Sequence, residues 1–264
     1  EQVAQKYGKE RKTTLVYDHE LQQEPDDEPE NDYPVTVFLS REGYFKKITP
    51  QSLRMSGEQK FKEGDSLLLT CPAQNSSEML VFTDKYQVYK TRISDFADGK
   101  ASALGDYLPG KLGFDEGESF LTAVFPGKYE GNLLFVFENG KAAKVELSGY
   151  ATKTNRRKLV NAFFAGSPVV GLFRSGEGNE YLLLSNASKA LLVREEQITD
   201  KTTKTSSGAS VFTLRRNGRV VSVRLYGKDG PRLVKEAKYR KAALPSAGTL
   251  FEDDDPELTQ QTLL

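Results

Sequence analysis

Four short apolar runs, each followed by a polar turn and then by a base-bearing run, recur along this chain. They are VTVFLSREGYFKKI (35–48), MLVFTDKYQVYKTRI (79–93), LLFVFENGKAAKVEL (133–147) and YLLLSNASKALLVRE (181–195). Each reads as a β-hairpin. Aligned on Gly43, Tyr86, Gly140 and Ser188, they are spaced 43, 54 and 48 residues apart. That period belongs to repeated β-blades and not to helical solenoids, whose units are shorter and helix-rich. Several runs (SLLLT, LLFVF, VVGLF) are apolar almost throughout. Strands of that kind are buried on both faces, as in blades packed radially with a sheet on either side, whereas a sandwich alternates more cleanly.

The 264 residues suffice for one large β domain or two ordinary ones. Their 15 Phe, 12 Tyr and 22 Gly suit many short strands joined by tight turns. No apolar run approaches the roughly 18 residues a membrane helix needs. A single cysteine, Cys71, rules out an internal disulfide, and with one histidine, His19, no zinc site can be assembled. The net charge of zero hides a division. Residues 18–32 hold eight acids and no Lys or Arg, and residues 252–257 hold five more. Between them, residues 33–251 carry 33 bases against 22 acids. A body that basic calls for a polyanionic partner.

In chain order, residues 1–17 begin with a helix-compatible run broken at Gly8. Residues 18–34 form an acidic linker interrupted by Pro25, Pro29 and Pro34. Repeats then fill 35–245, four clear hairpins followed by a strand pair at 210–226 and a segment, 230–244, that reads as a worn fifth hairpin or a helix. Residues 246–264 read as an acidic, disordered tail.

These residues resemble a known family, the C-terminal DNA-binding domain of the A subunit of bacterial type II DNA topoisomerases, the gyrase and topoisomerase IV group. KYGKERKTTLV (6–16) looks like the end of the upstream breakage–reunion core, which places residues 1–17 there. YPVTVFLSREGYFKKI (33–48) is similar to the family's first blade, Val-Thr-apolar-Ser-x-x-Gly-Tyr-apolar-Lys. ASALGDYLPGKLGFDEGESFLTAVF (101–125) is similar to its Ala-Arg-Gly loop, acidic EGE turn and next blade strand. The resemblance implies an all-β fold, a β-pinwheel of four to six four-stranded blades that exchange a strand between neighbours. It implies duplex DNA bent or wrapped around a basic outer rim and presented for strand passage. The domain itself would be non-catalytic and take no cofactor; ATP, magnesium and the ATPase (B) subunit belong to the parent enzyme. The setting implied is the bacterial cytoplasm, at the nucleoid, with no membrane partner and a monomeric isolated domain. Gyrases carry a basic, glycine-rich box after the first blade. The matching stretch here, RMSGEQK (54–60), lacks the paired Arg and double Gly. With only four clear hairpins, the pattern leans toward topoisomerase IV or a divergent gyrase.

If the hairpins are blades, bases at one level would draw a stripe around the rim. Four residues beyond the aligned turn lie Lys47, Lys90 and Lys144, with Lys46 beside the first; six beyond lie Arg92 and Arg194. Inter-blade loops add Lys100, Arg156, Arg157, Lys158, Lys201 and Lys204. Thr205, Ser206 and Ser207 offer hydroxyls to phosphate, and Gly208 a closely approached backbone N–H. Such contacts read charge and DNA deformability, not bases. The competing reading is a propeller-like protein-interaction module without DNA wrapping. A free-standing enzyme finds no catalytic constellation here.

Overall fold

The computed structural model describes residues 32–152, 157–227 and 233–251. The upstream segment, most of the acidic linker, Arg156 and the acidic run 252–257 lie outside the described residues.

Each aligned turn residue proves to be the one that takes a left-handed backbone. The φ angles are +88° at Gly43, +58° at Tyr86, +78° at Gly140 and +53° at Ser188. In three of the turns this residue donates its N–H to the carbonyl three residues back, at Ser40, Phe137 and Ser185. A type I turn closed by a left-handed residue is a common three-residue hairpin connection.

The strands follow in order. β1 (Pro34–Ser40) and β2 (Tyr44–Ile48) make the first hairpin, and β3 (Leu67–Gln74) runs back along β1. β4 (Glu78–Thr83) and β5 (Val88–Arg92) make the second; β6 (Asp106–Tyr107) then returns to the first sheet beside β2, and β7 (Phe120–Val124) lies along β4. β8 (Asn132–Phe137) and β9 (Lys141–Glu146) make the third; β10 (Lys158–Leu159) returns to β5, and β11 (Val169–Arg174) lies along β8. β12 (Glu180–Ser185) and β13 (Lys189–Arg194) make the fourth. β14 (Asp200–Lys201) and β15 (Ala209–Ser210) both return to β9, β16 (Val220–Tyr226) lies along β12, and β17 (Thr249–Leu250) closes on β13. The result is four blades among the described residues. Each is completed on its outer side by chain arriving from beyond the next hairpin or, in blade 4, from the last described strand.

Alternation on the central strands explains how the blades stack. On β4, Met79 and Val81 pack with Val35, Val37 and Leu39 of blade 1, while Leu80 and Phe82 pack with Leu133, Phe135 and Phe137 of blade 3. On β8 the other face, Leu134 and Val136, meets Tyr181 and Leu183 of blade 4. A period of two thus feeds two cores from one strand, which is why these runs carry no polar face. The outer faces of blades 1 and 4 are covered by small clusters of their own, Phe38, Ile48 and Ala101 on one and Leu182, Leu192 and Tyr239 on the other. Those two blades therefore do not seal against each other through these faces.

Two readings of the later chain change. VVSVRLY becomes β16, the inner strand of blade 4, but it does not form the expected hairpin with the segment before it: Val211 and Phe212 sit in the core between blades 3 and 4. Of the segment 230–244, Glu236–Tyr239 forms one short helical turn. The stretch expected to be disordered from 246 onward contributes β17 to blade 4, with Ser246 bridging Phe212.

Two buried tyrosines, Tyr150 and Tyr181, and the half-buried Tyr129 mark the blade junctions. The Tyr150 hydroxyl donates to Ala162 O at 3.0 Å, that of Tyr129 to Glu78 at 2.8 Å and that of Tyr181 to Glu195 at 2.7 Å. Burial pushes all three phenols far above their ordinary value near 10, and the carboxylate partner adds to the rise at Tyr129 and Tyr181. A folded-state pKa above the unfolded one gives stability that is complete below pH 10 and lost as pH climbs past it. Tyrosinate absorbance and circular dichroism followed together are therefore expected to show these three phenols ionising only as the fold is lost. A single titration near 10 with the fold intact would refute this.

Candidate nucleic-acid interface

The hairpin lysines are placed less uniformly than a stripe requires. Lys46 and Lys47, adjacent on β2, are each only 3% exposed. The Lys46 ammonium donates to Lys60 O at 2.9 Å and Ala101 O at 3.4 Å and lies 5.2 Å from the Phe61 ring. Burial holds its pKa below the ordinary lysine value. Lys47 donates to the Asn75 side chain, stands 3.4 Å from Asp98 and lies 5.7 Å from the Tyr33 ring. Both ammonium groups face chain that folds over blade 1 from later in the sequence. They are internal fasteners, and the reading that puts them on the rim is corrected. Lys144 is 14% exposed and paired with Asp200 at 2.9 Å. A continuous belt is thus interrupted by acids of the body itself.

A concentration of bases does form at blade 2. Lys90 on β5 donates its backbone N–H to Arg157 O at 2.7 Å and its ammonium to Thr152 Oγ1 at 3.2 Å; β10 continues with Lys158 opposite Tyr89. Lys90, Arg157 and Lys111 line a cleft of about 300 Å³, with Tyr89, Phe96 and Leu112 giving apolar surface and Thr91 and Asp95 polar edges. Rings pre-position the lysines: Lys90 lies 5.2 Å from Tyr129, Lys111 5.7 Å from Phe96 and Lys158 5.2 Å from Tyr89. Lys158 also meets Asp115 at 2.7 Å, which lifts the lysine and lowers the acid from their ordinary values. Both partners are substantially exposed, so the pair contributes little stability. Lys111 is 3.8 Å from Asp106.

The remaining expected contacts scatter. Lys100 is on a separate cleft of blade 1 with Ser52, Met55 and Glu58 and is exposed. Arg92, at the end of β5, pairs in register with Glu78. Arg194 is exposed beside Gln197, Arg240 and Lys241 on blade 4. Lys201 is half-buried in β14, and Lys204 lies 5.6 Å from the Tyr150 ring. Gly208 offers nothing outward: its N–H donates to Ser206 Oγ at 3.2 Å. Arg156 lies outside the described residues. Periodicity does not point to Lys111 or Arg240: Lys111 is in a short helix, Leu108–Leu112, and Arg240 directly follows the helical turn Glu236–Tyr239, and only the fold reveals where these segments lie. Among the described residues, no group of three His, Cys, Asp or Glu is placed to hold a metal ion, and no helix is long and apolar enough to cross a membrane.

Hairpins stitched by returning outer strands, stacked four deep, define the β-pinwheel, the class to which this fold belongs. Known proteins share it. A solved C-terminal domain of DNA topoisomerase IV matches with a TM-score of 0.65 at 23% identity, covering 75% of this chain and 62% of that one. The gyrase A protein of Aminobacterium colombiense is 26% identical over 239 residues, 83% of this chain and 27% of its own length. The topoisomerase 4 A protein of Staphylococcus aureus is 21% identical over 192 residues, 71% of this chain and 24% of its own. No protein-family model matches. The chain therefore has relatives named as A subunits of gyrase and topoisomerase IV over most of its length, and it spans about a quarter of theirs.

Proposed function

We propose that the chain binds duplex DNA and bends it, as an accessory domain within an ATP-dependent type II topoisomerase. The domain presents DNA for strand passage while cleavage and ATP hydrolysis occur elsewhere in the enzyme. Its partner there is the ATPase (B) subunit, and its setting the bacterial cytoplasm. The observation that carries this reading is the blade 2 cleft, where three bases converge on a pinwheel edge. Phosphate contacts from such a cleft are electrostatic, so affinity falls with salt and is indifferent to sequence.

Anisotropy titration of a labelled duplex at several salt concentrations tests it. Expected is a linear fall of log K with log salt. A triple change, Lys90→Glu with Lys111→Glu and Arg157→Glu, lowers the slope by about 3, near one per lost contact. The loss should be alike on unrelated sequences. Affinity that is flat in salt, or untouched by the triple change, points instead to a protein-interaction module.

A further inference from the structure

One rung recurs on every blade, and its charge does not. The fourth residue past the aligned turn is Lys47, Lys90, Lys144 and Leu192. The chain returning from the next unit sets a partner against each. Asp98 bridges Lys47, Arg157 lies against Lys90, Asp200 pairs with Lys144, and Arg240 bridges Leu192. In blades 1 and 3 the rung is therefore an acid–base pair, at 3.4 and 2.9 Å. In blade 4 the arginine is held by Glu180 and Glu236, at 2.7 and 2.8 Å. Among the described residues, only the blade 2 rung sets two bases side by side.

A second difference lies one step further in. Where the returning strand pairs beside the turn, it is preceded in blades 1, 3 and 4 by a left-handed glycine: Gly105, Gly208 and Gly248. In blade 2 that place is taken by Lys158, in the straight antiparallel strand β10. Blade 2 thus carries a side chain where the others carry none, but Lys158 is paired with Asp115 at 2.7 Å, so the like-charged rung of this blade is Lys90 with Arg157 alone.

Resting on the DNA reading above, we infer that blade 2 is the anchor of the duplex and that Asp98 and Asp200 keep blades 1 and 3 electrostatically silent. The phosphate backbone is gripped at one patch and only then follows the rim, so the domain engages a short stretch of DNA and not a full belt. Two like charges at a rung raise the local potential that a phosphate meets, whereas a paired rung presents a dipole whose field fades within a few ångströms.

The test compares blades in the same titration. Arg157→Glu is expected to weaken duplex binding about tenfold at low salt. Lys100→Glu on blade 1 and Lys201→Glu on blade 3 change it less than twofold. Asp200→Arg rebuilds the blade 2 rung on blade 3 and is expected to tighten binding several-fold and steepen the salt slope by about 1. Asp200→Asn, which removes the acid without adding bulk, shows a smaller gain in the same direction. Equal losses from all three reversals, or no gain from either Asp200 variant, overturn the inference while leaving DNA binding intact. Absence of duplex binding by the unaltered protein ends the DNA reading, and this inference with it.

Discussion

Lys46→Ala is expected to cost stability, about 2–4 kcal/mol, while leaving DNA affinity of the folded protein within twofold. The ammonium group is the donor that Lys60 O receives from inside blade 1, and it also reaches Ala101 O. Removing it costs Lys60 O its ammonium donor and Ala101 O one of its two donors, the Lys60 N–H remaining at 2.9 Å. Losing charged hydrogen bonds of this kind costs about 1–3 kcal/mol, and the packing of the lysine stem goes with them. Burial has already lowered its pKa, so the charge is retained at some cost that the two carbonyls offset. For a domain of this size, a loss of about 3 kcal/mol lowers Tm by roughly 6–12 °C. Lys46→Met keeps the stem and drops only the donors, and should fall between. Thermal unfolding, with anisotropy measured well below each Tm, checks both halves. A variant with unchanged Tm and lost DNA binding would return Lys46 to the rim.

Why the sequence misplaces Lys46 and Lys47 follows from what periodicity can carry. On a strand, adjacent residues face opposite sides, so two neighbouring lysines ought to leave one outward. Both are buried because chain from far downstream covers blade 1: Lys60 and Ala101 close over Lys46, while Asn75 and Asp98 close over Lys47. No local pattern announces that. The hairpins are legible, since Gly43 and Gly140 mark left-handed turns by their residue type and Tyr86 and Ser188 do so by alignment with them. Radial stacking is legible too, in runs such as LLFVF that lack a polar face. The site is legible only in part. Lys90 and Arg157 stand out in the sequence and do meet, whereas Lys158 turns to Asp115 and Lys111 joins the cleft from the short helix Leu108–Leu112, whose path belongs to the tertiary structure.

The same returning segments explain Gly105, which no motif singles out, and give Gly208 a packing role in place of the phosphate contact expected of it. Gly105→Ala and Gly208→Ala are expected to be the most damaging single changes short of the core, about 2–5 kcal/mol each. Gly105 has φ +93°, and a Cβ there would stand 2.3 Å from Phe45 O. Gly208 has φ +70°, and its Cβ would stand 2.0 Å from Ala142 O. Phe45 and Ala142 occupy the same place, two residues past the aligned turns at Gly43 and Gly140. Each glycine is thus the point where a returning strand crosses the second hairpin strand at backbone contact. Left-handed backbone costs a non-glycine residue about 1–2 kcal/mol. The clash is with backbone and not with a yielding side chain, so the strand must shift and its pairing suffers, adding about 1–3 kcal/mol. Gly248, at 2.9 Å from Ala190 O, occupies the equivalent place on blade 4 and should respond more mildly. Gly127, with φ +59° but open space around its Cβ position, isolates the backbone term alone. Denaturant unfolding of the four alanine variants should rank Gly208 and Gly105 worst, Gly248 next and Gly127 least. If Gly127→Ala proves as harmful as Gly208→Ala, strain and not the crossing is responsible, and strand exchange does not depend on these close approaches.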